Sequence, residues 1–435
     1  MRNRRRRPGV STGTVATLVV LALVIGGSAL IFPKLLGRVD QRISPQQVGV
    51  ALGQSFSAFS GSVLGQPTAK AAPTVTAQPT VPQTPQETAT PGPVLQLSIT
   101  AAGEVSFDLN IQSACETGGG YDFAACFEYI KGYLTSDIRL ATLQNIVLPG
   151  ETLTNVNMPA AAVTAMAGAG FNVINTGFYG ALDGGVQGLM ATLELIRQNG
   201  MLPYGTYTSA GQRSQSTIWD VNGIRVAFLS FQAELSAQGK RMTTKEEQGY
   251  VFAQMTLPVM TADIAAAREA GADVVIVSLC WGQEDADTPT KLQREMAQGI
   301  AGAGADIILG TNPGVLQPVV ILSSAKADGT KRQTLCAYSL GSILNSDRRS
   351  RPVITSALLH INLRYATQTD TLSFETITYT PVYIWRGQSG GKTTYQPVIA
   401  NAAPPAQMNE DQRAIMSRAL SDVRTIFANT LIEER

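Results

Sequence analysis

The sequence predicts an α/β protein with mixed sheets and flanking helices, and two patterns point there. From Val94 to Gly310, short runs of Val, Ile and Leu alternate with helix-length segments; from Leu335 to Arg386 the residues alternate with a period of two and little helix is indicated. Continuous apolar runs between helices mark strands covered on both faces by crossover connections, whereas alternation marks antiparallel strands packed on or extending that layer. A chain of 435 residues can bury a large core and still carry accessory segments.

LQLSITAAG (95–103) reads as the first strand, MPAAAVTAMAGAG (158–170) as a helix of small residues and FNVINTG (171–177) as a strand. Helix GVQGLMATLELIRQNG (185–200), strand IRVAFLSF (224–231), helix TADIAAAREAGA (261–272) and strand DVVIVSLCWG (273–282) follow, then helix LQREMAQGIAGAGA (292–305) and strand DIILG (306–310). The Gly clusters near Gly168 and Gly302 are expected to end their helices before the next strand. LCAYSLGSIL (335–344), ITSALLHINLRY (354–365), TLSFETITYTP (371–381) and YIWR (383–386) are the alternating strands. Residues 387–408 read as a connector, and 409–435 as a final amphipathic helix with Asn409 as N-cap and Glu410 and Asp411 in its first turn.

The N-terminal quarter differs in kind. Residues 1–11 form a basic tail with Arg2, Arg4, Arg5, Arg6 and Arg7, and residues 12–32 are 21 residues without a charge. At about 1.5 Å per residue these can cross a hydrocarbon core of about 30 Å, and the arginines place the N-terminus in the cytoplasm. The expectation is a single-pass signal anchor in the cell membrane with the main domain extracytoplasmic; a cleaved signal peptide is the rival reading. Residues 33–65 form a juxtamembrane segment without an assigned role, and 66–93, with seven prolines among Thr, Ala and Gln, a semi-rigid spacer.

Charge and rare residues narrow the function classes. The chain has 33 Lys+Arg against 32 Asp+Glu; once the five N-terminal arginines are set aside, 28 bases face 32 acids, and nucleic acid is not expected as a partner. His360 is the single histidine, which excludes zinc sites of the three-His or two-Cys-two-His kind within one chain. Cys115 and Cys126 bracket CETGGGYDFAAC and are expected to form a disulfide in an exported domain; Cys280 is read as a buried thiol or the partner of Cys336. A Cys280–His360 catalytic pair is the weaker alternative, because His360 sits in an alternating strand.

Six phrases in order, from about Leu95 to Arg386, resemble the CapA-type capsule-synthesis family, also called poly-gamma-glutamate biosynthesis proteins. They are AAGEV (101–105), SDIRLATLQ (136–144), GFNVINTGFYGALDGG (170–185), LCWGQE (279–284), GADIILGTNPGVLQP (304–318) and YSLGS (338–342). The resemblance implies a metallophosphatase-like (calcineurin-like) α/β sandwich over residues 94–386. It also implies that the family's metal-site positions fall here on Glu104, Gln144, the triplet Phe178, Tyr179 and Gly180, then Cys280, Asn312 and Gly314. Only Glu104 is a carboxylate and none is a histidine. The implication is a degenerate member with the scaffold residues Asp183, Trp281 and Glu284 kept, no metal cofactor and no assigned catalytic residue.

Asp183 reads as the cap of the helix that follows it, Glu284 either as a cleft acid or as an acceptor of backbone donors in its loop, and Phe178 and Tyr179 as cleft filling or an aromatic platform. The function expected from the resemblance is a membrane-anchored component of capsule, poly-gamma-glutamate or other surface-polymer assembly, non-catalytic or of altered chemistry, with surface polymer or polymer-synthase subunits as partners. The alternatives are a hydrolase or transferase working through Glu104 and Glu284, and a structural or partner-binding envelope domain.

Overall fold

A computed structural model of the chain describes residues 92–326, 329–428, 430 and 432–435. The basic tail, the expected membrane span, the juxtamembrane segment and all but the last two residues of the spacer lie outside the described residues. Among the described residues no helix is long and apolar enough to cross a membrane.

The elements begin with β1 (Val94–Val105), α1 (Leu109–Ala114), a small ladder of β2 (Glu116–Thr117) and β3 (Gly120–Tyr121), and β4 (Ile138–Leu143). Next come α2 (Ala161–Ala169), β5 (Val173–Asn175), α3 (Gly185–Gln198), β6 (Leu202–Tyr204) and α4 (Ala210–Arg213). The hairpin β7 (Thr217–Val221) and β8 (Ile224–Gln232) leads to α5 (Ala237–Met242), α6 (Lys245–Gln248), α7 (Leu257–Glu269), β9 (Val274–Cys280), α8 (Lys291–Ala303) and β10 (Ile307–Thr311). The chain closes with β11 (Leu316–Ala325), β12 (Lys331–Leu340), β13 (Ser342–Leu344), β14 (Thr355–Ala366), β15 (Thr371–Ser389), β16 (Lys392–Ile399), α9 (Glu410–Phe427) and β17 (Glu433–Glu434).

Two mixed sheets carry the fold. One runs β16-β15-β14-β1-β4-β5-β6, with β13 alongside β1 and β17 alongside β15; the other runs β11-β12-β10-β9-β8-β7. In the first, the parallel run β1-β4-β5-β6 continues on one side into antiparallel β14, β15 and β16; in the second, a parallel centre β12-β10-β9-β8 is flanked by antiparallel β11 and β7. Their inner faces meet in a shared core that includes Leu97 and Ile99 of β1, Leu140 of β4, Val274 and Ile276 of β9 and Leu335 of β12. The outer face of the first sheet packs on α2, and that of the second on α7 and α8. The result is a helix–sheet–sheet–helix sandwich. Strands such as β9 bury both faces, which is why they read as unbroken Val/Ile/Leu runs.

Gly170 and Gly304, both left-handed, end α2 and α8 and turn the chain into β5 and β10. The stretch 387–408 differs from the expected connector: its first part completes β15 and forms β16, paired from Val382–Ile399 to Ser389–Lys392. The Gly390–Gly391 turn, with positive φ at both residues, makes this a hairpin that a Gly/Ser-rich composition disguised as a loop. Asn409 caps α9, accepting from the Gln412 backbone N–H at 2.9 Å.

Cys115 and Cys126 lie side by side with Sγ atoms 3.5 Å apart, close enough for the expected bridge. Cys280 and Cys336 cannot be a pair, because β10 runs between β9 and β12, with Ile308 opposite Cys336 and Thr311 opposite Cys280. Two strand spacings amount to about 10 Å, beyond the roughly 7 Å that a disulfide spans between Cα atoms. Mild oxidation should therefore close only the 115–126 pair, raising stability by about 3 kcal/mol. Peptide mapping of thiols alkylated before and after oxidation checks this, and a 280–336 crosslink in folded protein would contradict the sheet order.

Candidate functional site

A cleft of about 450 Å³ opens where the C-terminal ends of parallel strands from both sheets converge. It is lined by Glu104 from the end of β1, Gln144 just beyond β4, Phe178, Tyr179, Gly180 and Asp183 after β5, and Ser236 after β8. Cys280 at the end of β9, Glu284 in the next loop, and Asn312, Pro313 and Gly314 after β10 complete that wall. Almost every position indicated by the resemblance thus reaches one place.

Glu104 forms the buried centre. Its backbone N–H donates to Gly341 O at 3.0 Å, which locks the end of β1 to the turn before β13, and one carboxylate oxygen accepts from the Asn312 backbone N–H. Burial pushes its pKa up to about 7; the N–H groups of Asn312 and Gly314 oppose the rise and the nearby Glu284 charge adds to it. Asn312 holds its loop in a left-handed conformation (φ 90°) and donates from Nδ2 to Gly282 O at 3.1 Å. The Cys280 thiol is pushed up to about 12, mainly by burial and then by Glu104, so it stays protonated.

Several expectations need correction. Asp183 does not cap α3, whose N-cap Gly184 has no side-chain bond; instead it accepts from the Ser236 hydroxyl. With Ser236 N donating to Tyr179 O at 3.0 Å, this pins the 178–183 turn to the start of α5. Glu284 is exposed and accepts no hydrogen bond from the described residues, so it is a cleft acid and not a loop acceptor. Trp281 does not line the cleft: it is 3% exposed, stacks on Tyr338 and donates from Nε1 to Tyr338 O at 3.0 Å. Phe178 is buried as filling, and Tyr179 is half exposed at the wall as a platform.

His360 lies on β14 opposite Thr100, with Nδ1 3.1 Å from Thr100 Oγ1 and Nε2 2.9 Å from Thr380 Oγ1. Both ring nitrogens are engaged away from the cleft, and the Cys280–His360 pair is not assembled. Residues that sequence reasoning missed also line the cleft: Ser106, Asp108, Ser236, Ser342, Asn345, Asp347 and Arg349. Asp108 caps α1 and Ser236 caps α5, so a polar residue before a short helix was the available signal; the run NSDRR after a strand was another.

The residues present do not fit the metal site that the resemblance implies for the family. Glu104 is the buried carboxylate, and one of its oxygens is already taken by a backbone donor. Gln144 and Asn312 offer neutral amides, and Cys280 a lone thiol. Among the described residues no three His, Cys, Asp or Glu side chains are grouped so as to hold a metal ion.

The chain is 30% identical over 211 residues to the PGA biosynthesis protein CapA of Bacillus subtilis (strain 168), covering 47% of this chain and 50% of that protein. It is 28% identical over 244 residues to the Capsule biosynthesis protein CapA of Bacillus anthracis, covering 54% and 55%. The matched region thus spans about half the length of these curated relatives. Among solved structures, the calcineurin-like phosphoesterase YfkN from Bacillus subtilis is similar with a TM-score of 0.42 at 12% identity, covering 77% of this chain and 98% of that one. A phosphatase from Mycoplasma pneumoniae gives 0.39 at 11% identity, covering 66% and 94%. The family described as bacterial capsule synthesis protein PGA_cap matches residues 98–347, from β1 through the loop after β13, and so includes nearly all of the cleft. On that match over more than half of its length, the chain belongs to the bacterial capsule synthesis protein PGA_cap family.

Proposed function

We propose that this protein is a polymer-holding component of capsule or related surface-polymer assembly, anchored outside the cytoplasm by residues 12–32, in which the family cleft binds without metal chemistry. The observation that carries this reading is the composition of the cleft: the loops converge, while the positions that would supply imidazoles carry Gly180, Cys280, Asn312 and Gly314. A half-exposed tyrosine and a rim of serine, asparagine and glutamine side chains suit a hydroxyl-rich ligand.

Metal analysis of the purified chain after incubation with Mn²⁺, Zn²⁺ or Fe²⁺ tests it. The expected result is less than stoichiometric metal together with retention of extracted surface polymer on the immobilised protein. Stoichiometric metal accompanied by phosphoesterase activity overturns the reading. A second reading, acid–base cleavage of polymer by Glu104 with Glu284, is favoured by one observation: burial holds Glu104 at about 7, where a general acid keeps its proton. Polymer shortening that disappears in Glu104→Gln would establish it over the binding role.

A further inference from the structure

Cys115 and Cys126 are unequal members of one pair. Cys115 closes the C-terminal end of α1, its backbone N–H donating to Ile111 O at 3.0 Å, and it is half-buried, whereas Cys126 is 4% exposed in the core cluster that holds Phe123 and Phe127. As thiols the two share a hydrogen bond. The chain beside Cys115 is thin: β2 and β3 are two residues each, and a Cβ added at Gly118, Gly119 or Gly120 would meet nothing within 4 Å. A molecule approaching from solvent therefore reaches the Cys115 sulfur first.

The surroundings favour the same sulfur. Lys392, the first residue of β16, brings its ammonium to this end of α1 and donates to Glu116 O. The hydrogen bond between the sulfurs, with the Lys392 charge adding to it, draws the Cys115 thiol below its ordinary value against the opposing effects of burial and Asp122; the same bond and burial push Cys126 well up. The thiolate is the nucleophile in disulfide exchange, so the sulfur that attacks is the one both reachable and more readily ionised.

We propose that Cys115 and Cys126 form a thiol–disulfide exchange site, with Cys115 as the attacking sulfur, Cys126 as the resolving sulfur and a disulfide carrier as the partner. In the oxidising direction the Cys115 thiolate attacks one sulfur of the carrier's disulfide; an S–S bond forms to Cys115, the carrier's own S–S bond breaks and its other sulfur leaves as a thiolate. Cys126 then gives up its proton and attacks the Cys115 sulfur. The 115–126 bond forms, the mixed bond breaks, and the carrier departs with both electrons, its two sulfurs left as thiols. Reduction retraces these steps through Cys115, so the bridge answers to the redox state of its surroundings, as one sealed in the core would not. This site goes beyond the polymer-holding reading and does not depend on it.

Treatment of the reduced full-length protein with glutathione disulfide, followed by acid quenching and peptide mass mapping over time, tests the proposal. In Cys126→Ser, glutathione should accumulate on Cys115; in Cys115→Ser, Cys126 should take it up at least about tenfold more slowly. The unaltered protein should pass through the Cys115 adduct to the 115–126 bridge, and in urea the preference for Cys115 should disappear, because the fold creates it. Equal rates at the two positions in the folded variants, faster reaction at Cys126, or a Cys115 adduct that never resolves to the bridge overturns the proposal. An oxidised Cys-x-x-Cys oxidoreductase run in parallel identifies the kind of carrier: bridging faster than by glutathione disulfide at equal concentration selects a protein, and slower bridging selects a small disulfide.

Discussion

At pH 7 the Glu104→Gln variant should be more stable than the unaltered protein by about 3 kcal/mol, although it loses the central acid of the cleft. Burial raises Glu104 from 4.5 to about 7, so the fold favours its protonated form. The stability linked to that form is fully present below 4.5 and is lost as pH rises through 7. His360 acts in the opposite sense. Burial, helped by the Arg435 charge, lowers it from 6.5 to about 4, so the fold favours the neutral ring. Its contribution, also about 3 kcal/mol, is present above pH 6.5 and is lost as pH falls through 4.

The two windows overlap, and between pH 4.5 and 6.5 the two slopes offset each other. Urea denaturation across that range should show a nearly flat contribution from these groups in the unaltered protein. Stability should climb with pH in Glu104→Gln and decline with pH in His360→Gln. Parallel profiles for all three proteins would show that neither group is perturbed as the geometry indicates. A carboxyl kept in the cleft at a cost to stability is characteristic of a functional position.

Gly310→Ala should destabilise the fold by roughly 4 kcal/mol, combining overpacking with a lost buried hydrogen bond. Gly310 lies in β10 where a Cβ would run into the Tyr338 carbonyl oxygen and Trp281 Nε1 at once. Those two atoms are bonded to each other, so relieving the clash breaks the Trp281–Tyr338 link and shifts the strand end that carries Cys280 and Asn312. Backbone cannot give way as a flexible side chain can. Gly118→Ala is the matched control, because nothing lies within 4 Å of its added methyl group. Chemical denaturation of both variants decides the point, and equal midpoints would contradict the packing described.

Much of the site was legible in the chain itself because it sits at strand ends, and strand ends are marked locally by an apolar run giving way to Gly, Asn or acid. Glu104, Gln144, Cys280 and Asn312 all follow such runs and all line the cleft. Ser236 and Asn345 lie outside the six phrases, and their local marks, a polar residue before a short helix and a polar run after a strand, do not single them out; tertiary neighbours, Asp183 and Val353, fix their places. Trp281 was misplaced for a simpler reason. It is next to Cys280 in sequence, but adjacent residues of an extended chain point to opposite sides, so the thiol faces the cleft and the indole the helix-covered core.

The sequence by itself determined the alternating strands and helices, the CapA-type resemblance and the single histidine, His360, which lies outside every phrase of that resemblance. These are properties of local pattern and residue identity. Tertiary structure alone decided that β10 separates Cys280 from Cys336, that residues 387–399 pair as a hairpin, and that Arg349 is neutralised by Asp285 and Asp347. Each of these depends on which distant segments become neighbours in the sheets, and hydrogen-bond partners and unpaired charges exist only once those neighbours meet. The cleft's excess of carboxylates is therefore a tertiary fact, drawn from a chain whose overall charge is almost balanced.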